Sequence, residues 1–271
     1  MQKLQVDDLT GVSETLLILL HYRAEESRAE SSSYKDDIAE RFHDAIAYEW
    51  EKFQGNSLQR FGIVSRTAIL DDQVKAFVAN NPDGLIVNLG AGLDTRFHRL
   101  DNGKIEWIEL DLPDVIAFRQ RLREPANPRL VFLAASVLDD HWLSQVKRHS
   151  GARVLFVAEG LLPYFTEEQH RKVFAKLADN FRGQELLFQT NAPSITRGLV
   201  QHSDLAKLRT NADLQWGLEE GTQVSSLNPK VQFICEFPLL TDYDKLPLQM
   251  RQRVSPDQLG KVAKIVHVRF T

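Results

Sequence analysis

The residues best suited to chemistry sit at two neighbouring points of the chain. Asn88-Leu89-Gly90-Ala91-Gly92-Leu93-Asp94-Thr95-Arg96 follows directly on a short apolar run, and Asp111 lies nineteen residues beyond Gly92 within Ile108-Glu109-Leu110-Asp111-Leu112-Pro113. Two glycines one residue apart allow a turn with positive φ and let a ligand lie against the backbone. A carboxylate ending the next strand accepts both hydroxyls of a ribose. Pro113 suits the first turn of a following helix, which leaves Asp111 beside the glycine turn; Glu109 ranks below it. The plainer alternatives are an ordinary tight turn and a helix-capping carboxylate.

That interval is common to dinucleotide sites and S-adenosylmethionine sites, and the third glycine separates them. The dinucleotide fingerprint places it at Thr95, and Asp94 puts negative charge where a phosphate would bind. A sulfonium ligand has no phosphate to be repelled.

Placing these residues requires a sheet with its strand ends gathered on one side. Leu85 to Leu89 reads as a buried strand, followed by Ile105 to Leu110, Leu130 to Ala134, Val154 to Ala158 and Glu185 to Gln189, with helical stretches between them. The best-bounded helix runs from Glu167 to Phe181, with Thr166 and Gln169 at capping-box spacing and Gly183 as its stop. Three helices are predicted first: Ser13 to Glu30, Ile38 to Phe53, and one from near Ser65 to the Asn80-Asn81-Pro82 break. Val231 to Phe237 and Ile265 to Phe270 read as late strands forming a hairpin-like pair. The expected fold is a doubly wound, mostly parallel α/β sheet in one domain. It divides into a helical region over 1–82, a cofactor-binding core over 83–190, a lid over 191–230 and C-terminal strands over 231–271. Ligands of such sheets bind at the carboxyl ends of the strands.

The composition is that of a globular chain: 271 residues, 43% hydrophobic, 26% charged and a net charge of −4. Such a balance gives no general attraction to nucleic acid. The longest early apolar run, Leu16 to Leu20, falls far short of the roughly 20 residues that cross a bilayer. The first ten residues lack a basic, apolar leader, so the expected compartment is the cytoplasm. Cys235 is the single cysteine, which excludes an internal disulfide and a thiolate metal cluster; it reads as a small buried hydrophobe. The eight histidines show no metal-type spacing, so no metal is expected, and there is no G-x-S-x-G serine elbow.

Several blocks together resemble the leucine carboxyl methyltransferase family, in its branch of bacterial tetracenomycin-type polyketide O-methyltransferases. They are Gly11-Val12-Ser13-Glu14-Thr15-Leu16-Leu17, Arg23-Ala24, Arg66-Thr67, the Gly90 to Arg96 loop, Glu109 to Pro113, and Glu159-Gly160-Leu161-Leu162-Pro163-Tyr164. The resemblance implies a seven-stranded class I methyltransferase sheet with S-adenosylmethionine over Gly90, Ala91, Gly92 and Asp94, and Asp111 on its ribose. It implies that Arg66 pairs with the cofactor carboxylate, with Arg23 and Arg96 as further cationic candidates, and that Glu159 holds the ammonium group. Tyr164 is read as an acceptor-pocket residue, with packing on the sheet as its alternative. Relatives often carry an acidic adenine contact after the third strand, where this chain has Ala134-Ala135-Ser136-Val137-Leu138. Ser136 offers a hydroxyl there instead of a charge.

Methyl transfer from a sulfonium is an in-line displacement that needs alignment and desolvation but no enzyme nucleophile. A carboxylate acceptor is already ionised near neutral pH, whereas a phenol or alcohol must lose a proton. No convincing base is evident; His202, in the lid, is the weak candidate for base or substrate contact. The expected activity is therefore O-methylation of a small-molecule carboxylate or hydroxyl, with S-adenosylhomocysteine as co-product. The competing classes are a protein C-terminal carboxyl methyltransferase, a nicotinamide-dependent oxidoreductase, and a cofactor-binding protein without turnover.

Overall fold

The structure is a computed structural model that describes residues 3–9, 11–149, 151–193, 203–209, 213–240, 248–252, 255 and 259–271. Its strands are β1 (Leu85–Leu89), β2 (Glu106–Asp111), β3 (Leu130–Ala134), β4 (Val154–Ala158), β5 (Glu185–Asn191), β6 (Val231–Pro238) and β7 (Ala263–Phe270). They form one seven-stranded sheet in the order β3-β2-β1-β4-β5-β7-β6. β1 to β5 pair in parallel, while β7 runs antiparallel to both β5 and β6. The predicted late hairpin is thus present, with its second strand lying inside the first.

Chain order reverses between β1 and β4, so the loops that follow these two strands diverge and leave a crevice between them. The apolar runs are continuous because both sheet faces are covered. Leu85, Val87 and Leu89 pack with Phe156, Val173, Phe174 and Leu177 on one side, and Ile86 with Leu70, Val74, Leu155 and Val157 on the other. The helix behind the first face, Glu167–Asn180, carries the expected capping box between Thr166 and Gln169.

The helices before the sheet are α1 (Leu16–Arg28), α2 (Asp37–Ala45) and α3 (Ser57–Asn80), with a 3₁₀ turn over Gly11–Thr15 leading into α1. Two boundaries differ from expectation. The single helix expected over Ile38 to Phe53 stops at Ala45, because the backbone of Ala45 and Ala47 pairs with Leu4 and buries Ile46. α3 begins well before Ser65, because the Asn56 side chain accepts from Gln59 N at 3.1 Å and caps it. α1 packs on α2, and Leu16, Leu17 and Leu20 join Phe42, Val115 and Phe118 in one core. This brings the start of the chain over the carboxyl ends of β1 and β2. No helix among the described residues is long and apolar enough to cross a membrane.

Candidate active site

Gly90 and Gly92 take φ of +65° and +52°, in the left-handed region. A Cβ on Gly90 would stand 2.8 Å from Leu161 Cδ1, so that position excludes a side chain on two counts. The turn is held by its own amides: Gly90 N and Ala91 N both donate to Leu110 O, at 2.8 and 3.1 Å. Gly92 N donates to Asp111 Oδ2 at 2.6 Å, and Leu112 N donates to Asp111 Oδ1 at 2.7 Å. Each Asp111 oxygen therefore keeps acceptor capacity beyond its one backbone bond. Burial raises this carboxyl's pKa against the pull of the two N–H groups.

Asp94 accepts from Arg23 Nη1 at 3.3 Å, Arg96 N at 2.9 Å, Asn88 Nδ2 at 3.0 Å and Arg96 Nη1. Burial opposes its ionisation, but Arg96, Arg23 and Arg99 outweigh that and hold it far below the usual carboxylate range. Glu159 follows β4 and accepts from Arg66 Nε at 2.8 Å and Arg96 Nη2 at 2.6 Å. Burial likewise opposes its charge, and Arg66 and Arg96 hold it ionised. Arg96 is fully buried, its three nitrogens committed to Asp71, Asp94 and Glu159. Within β2, Glu109 lies 3.6 Å from Arg119 and accepts from Asn88 Nδ2 at 2.8 Å; burial pushes it up to about 8. Arg23, Arg66, Arg96, Arg99 and Arg119 are thus interleaved with Asp36, Asp71, Asp94, Glu109, Glu124 and Glu159. A buried network of this kind fixes the position of its members more than it stabilises the fold.

These residues frame a cavity of about 330 Å³ at the switch point. Gly90, Ala91, Gly92, Asp94, Asp111, Ser136, Glu159, Arg23 and Tyr164 all line it. Arg66 and Arg96 are not among the lining residues. Arg66 lies just behind Gly160, where a Cβ would meet its Nη1 and Nη2 at 3.8 Å; Nη2 is buried with no hydrogen-bond partner. Arg96, named above as a cationic candidate, is instead spent on holding Asp94 and Glu159 in place. Ser136 Oγ accepts from Leu138 N at 3.2 Å within its own turn. His202 lies outside the described residues.

Of the lid expected over 191–230, Gln215 reaches the cavity, and residues 194–202 and 210–212 lie outside the described residues; a further cover comes from the start of the chain. Ser13, Thr15, Leu16 and Leu19 line it from the 3₁₀ turn and α1, and Leu161, Phe165, Gln169 and Gln215 line it from the other side. The Gly11 to Leu17 block was visible as a family signature, but nothing in its spacing says that it folds over a strand turn seventy residues later. Asn88, also a lining residue, shares one amide between Asp94 and Glu109.

The cavity can be tested against the two ligands that its spacing allows. A pyrophosphate needs free backbone N–H groups at the turn. Here the amides of Gly90, Ala91 and Gly92 are already used, and Asp94 adds a fixed negative charge. An adenosylmethionine needs acceptors for ribose and ammonium, and donors for a carboxylate. Asp111 and Glu159 offer such acceptors, and Arg23 Nε, on the cavity wall, and Arg66 Nη2, behind Gly160, are buried donors with no hydrogen-bond partner. The residues fit the second ligand.

A seven-stranded sheet of this order with such a cleft is the class I methyltransferase fold. A Thermobifida fusca protein assigned as a methyltransferase has the same architecture, with TM-score 0.60, 14% identity, and coverage of 98% of this chain and 97% of that one. The tetracenomycin polyketide synthesis O-methyltransferase TcmP of Streptomyces glaucescens is 31% identical over 86% of this chain and 84% of its own. The S-adenosyl-L-methionine-dependent methyltransferase dpfgK of Gibberella zeae is 27% identical over 88% and 86%. The leucine carboxyl methyltransferase family matches residues 17–178, and the chain belongs to it.

Proposed function

We propose that this protein transfers the methyl group of S-adenosylmethionine to an oxygen of a small molecule, with a carboxylate as the acceptor the cavity suits best. S-adenosylmethionine is the methyl donor, and it supplies an electrophilic methyl on a positively charged sulfur. Asp111 accepts from the ribose hydroxyls, and Glu159, kept ionised by Arg66 and Arg96, receives the ammonium group. Arg23 and Arg66 offer N–H groups to the donor's carboxylate. Leu112, Val115, Val137 and Leu138 provide apolar walls beside Ser136 for the adenine. The 3₁₀ turn and α1 cover the crevice with Leu16 and Leu19, apolar groups of the kind that favour desolvation, which matters for a displacement at a cation.

One observation carries the choice of acceptor. The titratable residues lining the cavity are Arg23, Asp94, Asp111, Glu159 and Tyr164, and each carboxylate has a role in the loop or at the donor. Tyr164 has its pKa raised by burial, so its phenol stays neutral and is a poor base. Among the described residues nothing in the wall is suited to remove a proton, which a carboxylate does not require. The name of the Streptomyces relative agrees with oxygen as the target.

The test is to incubate the protein with methyl-labelled donor and a panel of aromatic and aliphatic acids, phenols and peptides. A carboxyl ester releases labelled methanol in mild base and an ether does not. Base-stable label on phenols alone would overturn the carboxylate assignment, and label only at a protein terminus would overturn the small-molecule one.

A further inference from the structure

A second polar cluster lies on α1, away from the cavity. His21 Nδ1 and His43 Nε2 stand 3.1 Å apart, joining α1 to α2. Glu25, one turn after His21 on α1, brings a carboxylate oxygen within 4.8 Å of one ring nitrogen of each histidine. The sequence gives no hint of it, because the two histidines are 22 residues apart on different helices. Two nitrogens bound to one tetrahedral ion at about 2.0–2.1 Å stand about 3.3 Å apart, close to the separation found here. Both imidazoles are buried.

We infer that His21, Glu25 and His43 form a binding site for a borderline divalent transition ion of the zinc type, completed by water. Two imidazoles and a carboxylate make the donor set that suits such an ion, and exposed Glu25 leaves it a path from solvent. Without metal, Arg28 Nη1 lies 3.3 Å from His43 Nδ1. A guanidinium only donates, so His43 Nδ1 is the acceptor and Nε2 carries the hydrogen shared with His21. Metal binding requires that hydrogen on Nδ1 instead. Asp44 Oδ1, 3.7 Å from this nitrogen, is placed to accept it as an orienting outer carboxylate, while partly exposed Arg28 keeps its bonds to Asp44 and Glu40. The ion would staple α1 to α2, and α1 carries Leu16, Leu19 and Arg23 of the cavity wall.

The experiment is a calorimetric titration of the full-length, chelator-treated protein with zinc chloride, with thermal unfolding recorded with and without the metal. One ion per chain and a raised melting temperature are expected. Glu25→Gln, at an exposed position, removes a charged ligand and should weaken binding by at least about a hundredfold, the top of the range seen when only an outer partner of a metal ligand is changed. His43→Phe, which keeps a ring against Trp50 at a centroid spacing now 4.2 Å, should abolish it. Absence of binding to the unaltered chain, or equal affinity in Glu25→Gln, would overturn the assignment. Neither readout involves methyl transfer, so this result is independent of the proposed activity.

Discussion

Asp111→Asn isolates the residue on which donor binding depends most. Each oxygen of Asp111 takes one backbone N–H, from Gly92 at 2.6 Å or Leu112 at 2.7 Å, and turns its remaining acceptor capacity toward the cavity. An asparagine amide must put its NH₂ group at one of these two positions. Whichever it chooses, one backbone bond becomes a donor–donor contact, one ribose hydroxyl loses its acceptor, and the charge on the other is gone. Hydrogen bonds to a charged group contribute about 1.5–3 kcal/mol each. Losing one and weakening the second comes to about 3 kcal/mol, on the order of a hundredfold in Kd. Calorimetric titration with S-adenosylhomocysteine measures this directly, and circular dichroism confirms that the variant is folded. A folded Asp111→Asn protein with an unchanged Kd would refute the ribose assignment.

Four further predictions follow from the same geometry. Gly90→Ala must tolerate φ of +65° and a contact of 2.8 Å to Leu161, so it should cost about 2–4 kcal/mol in chemical denaturation; an unaltered midpoint would contradict this. Glu14 is fully buried and accepts from Tyr48 at 2.6 Å and Arg209 N at 2.9 Å, so Glu14→Gln should cost about 2 kcal/mol in the same assay. Burial holds His170 down at about 4 from its ordinary 6.5, so the unfolded chain binds the proton first; stability should fall as pH drops through that window, by up to about 3 kcal/mol, and His170→Gln should flatten the slope in pH-dependent melting. Burial moves Glu109 the other way, from 4.5 to about 8, so the native state holds the proton longer; stability is lost as pH rises through that range, and Glu109→Gln should be the more stable protein at its upper end.

The central parallel strands β1 and β4 were legible because they are buried on both faces, and edge strand β3, with Val131 exposed, from its apolar run alone. Leu85–Leu89, Leu130–Ala134 and Val154–Ala158 have the bounds that their continuous apolar runs predict. Helix bounds were harder wherever tertiary contacts decided them. Ile46 fits a helical stripe, but pairing with Leu4 draws it into an extended bridge. Among the candidate site residues, Gly90, Gly92 and Asp111 stand out because a strand-to-helix turn and a strand end impose residue types at a fixed interval, whereas Glu159 enters only through the family resemblance. The arginines could not be sorted that way. The resemblance puts Arg66 ahead of Arg23 and Arg96, but only the ionic network separates the saturated Arg96 from the two with an unpaired nitrogen. The cover from Ser13 to Leu19 was hidden for a similar reason, since its contacts are with residues far along the chain.

The central claim is that the crevice beyond β1 and β2 takes a sulfonium nucleoside and rejects a diphosphate. Parallel calorimetric titrations of the unaltered protein with S-adenosylhomocysteine and with NAD⁺ test it most directly. Saturable one-to-one binding of the first and no heat from the second is the expected result. Binding of NAD⁺ with no response to S-adenosylhomocysteine would contradict it.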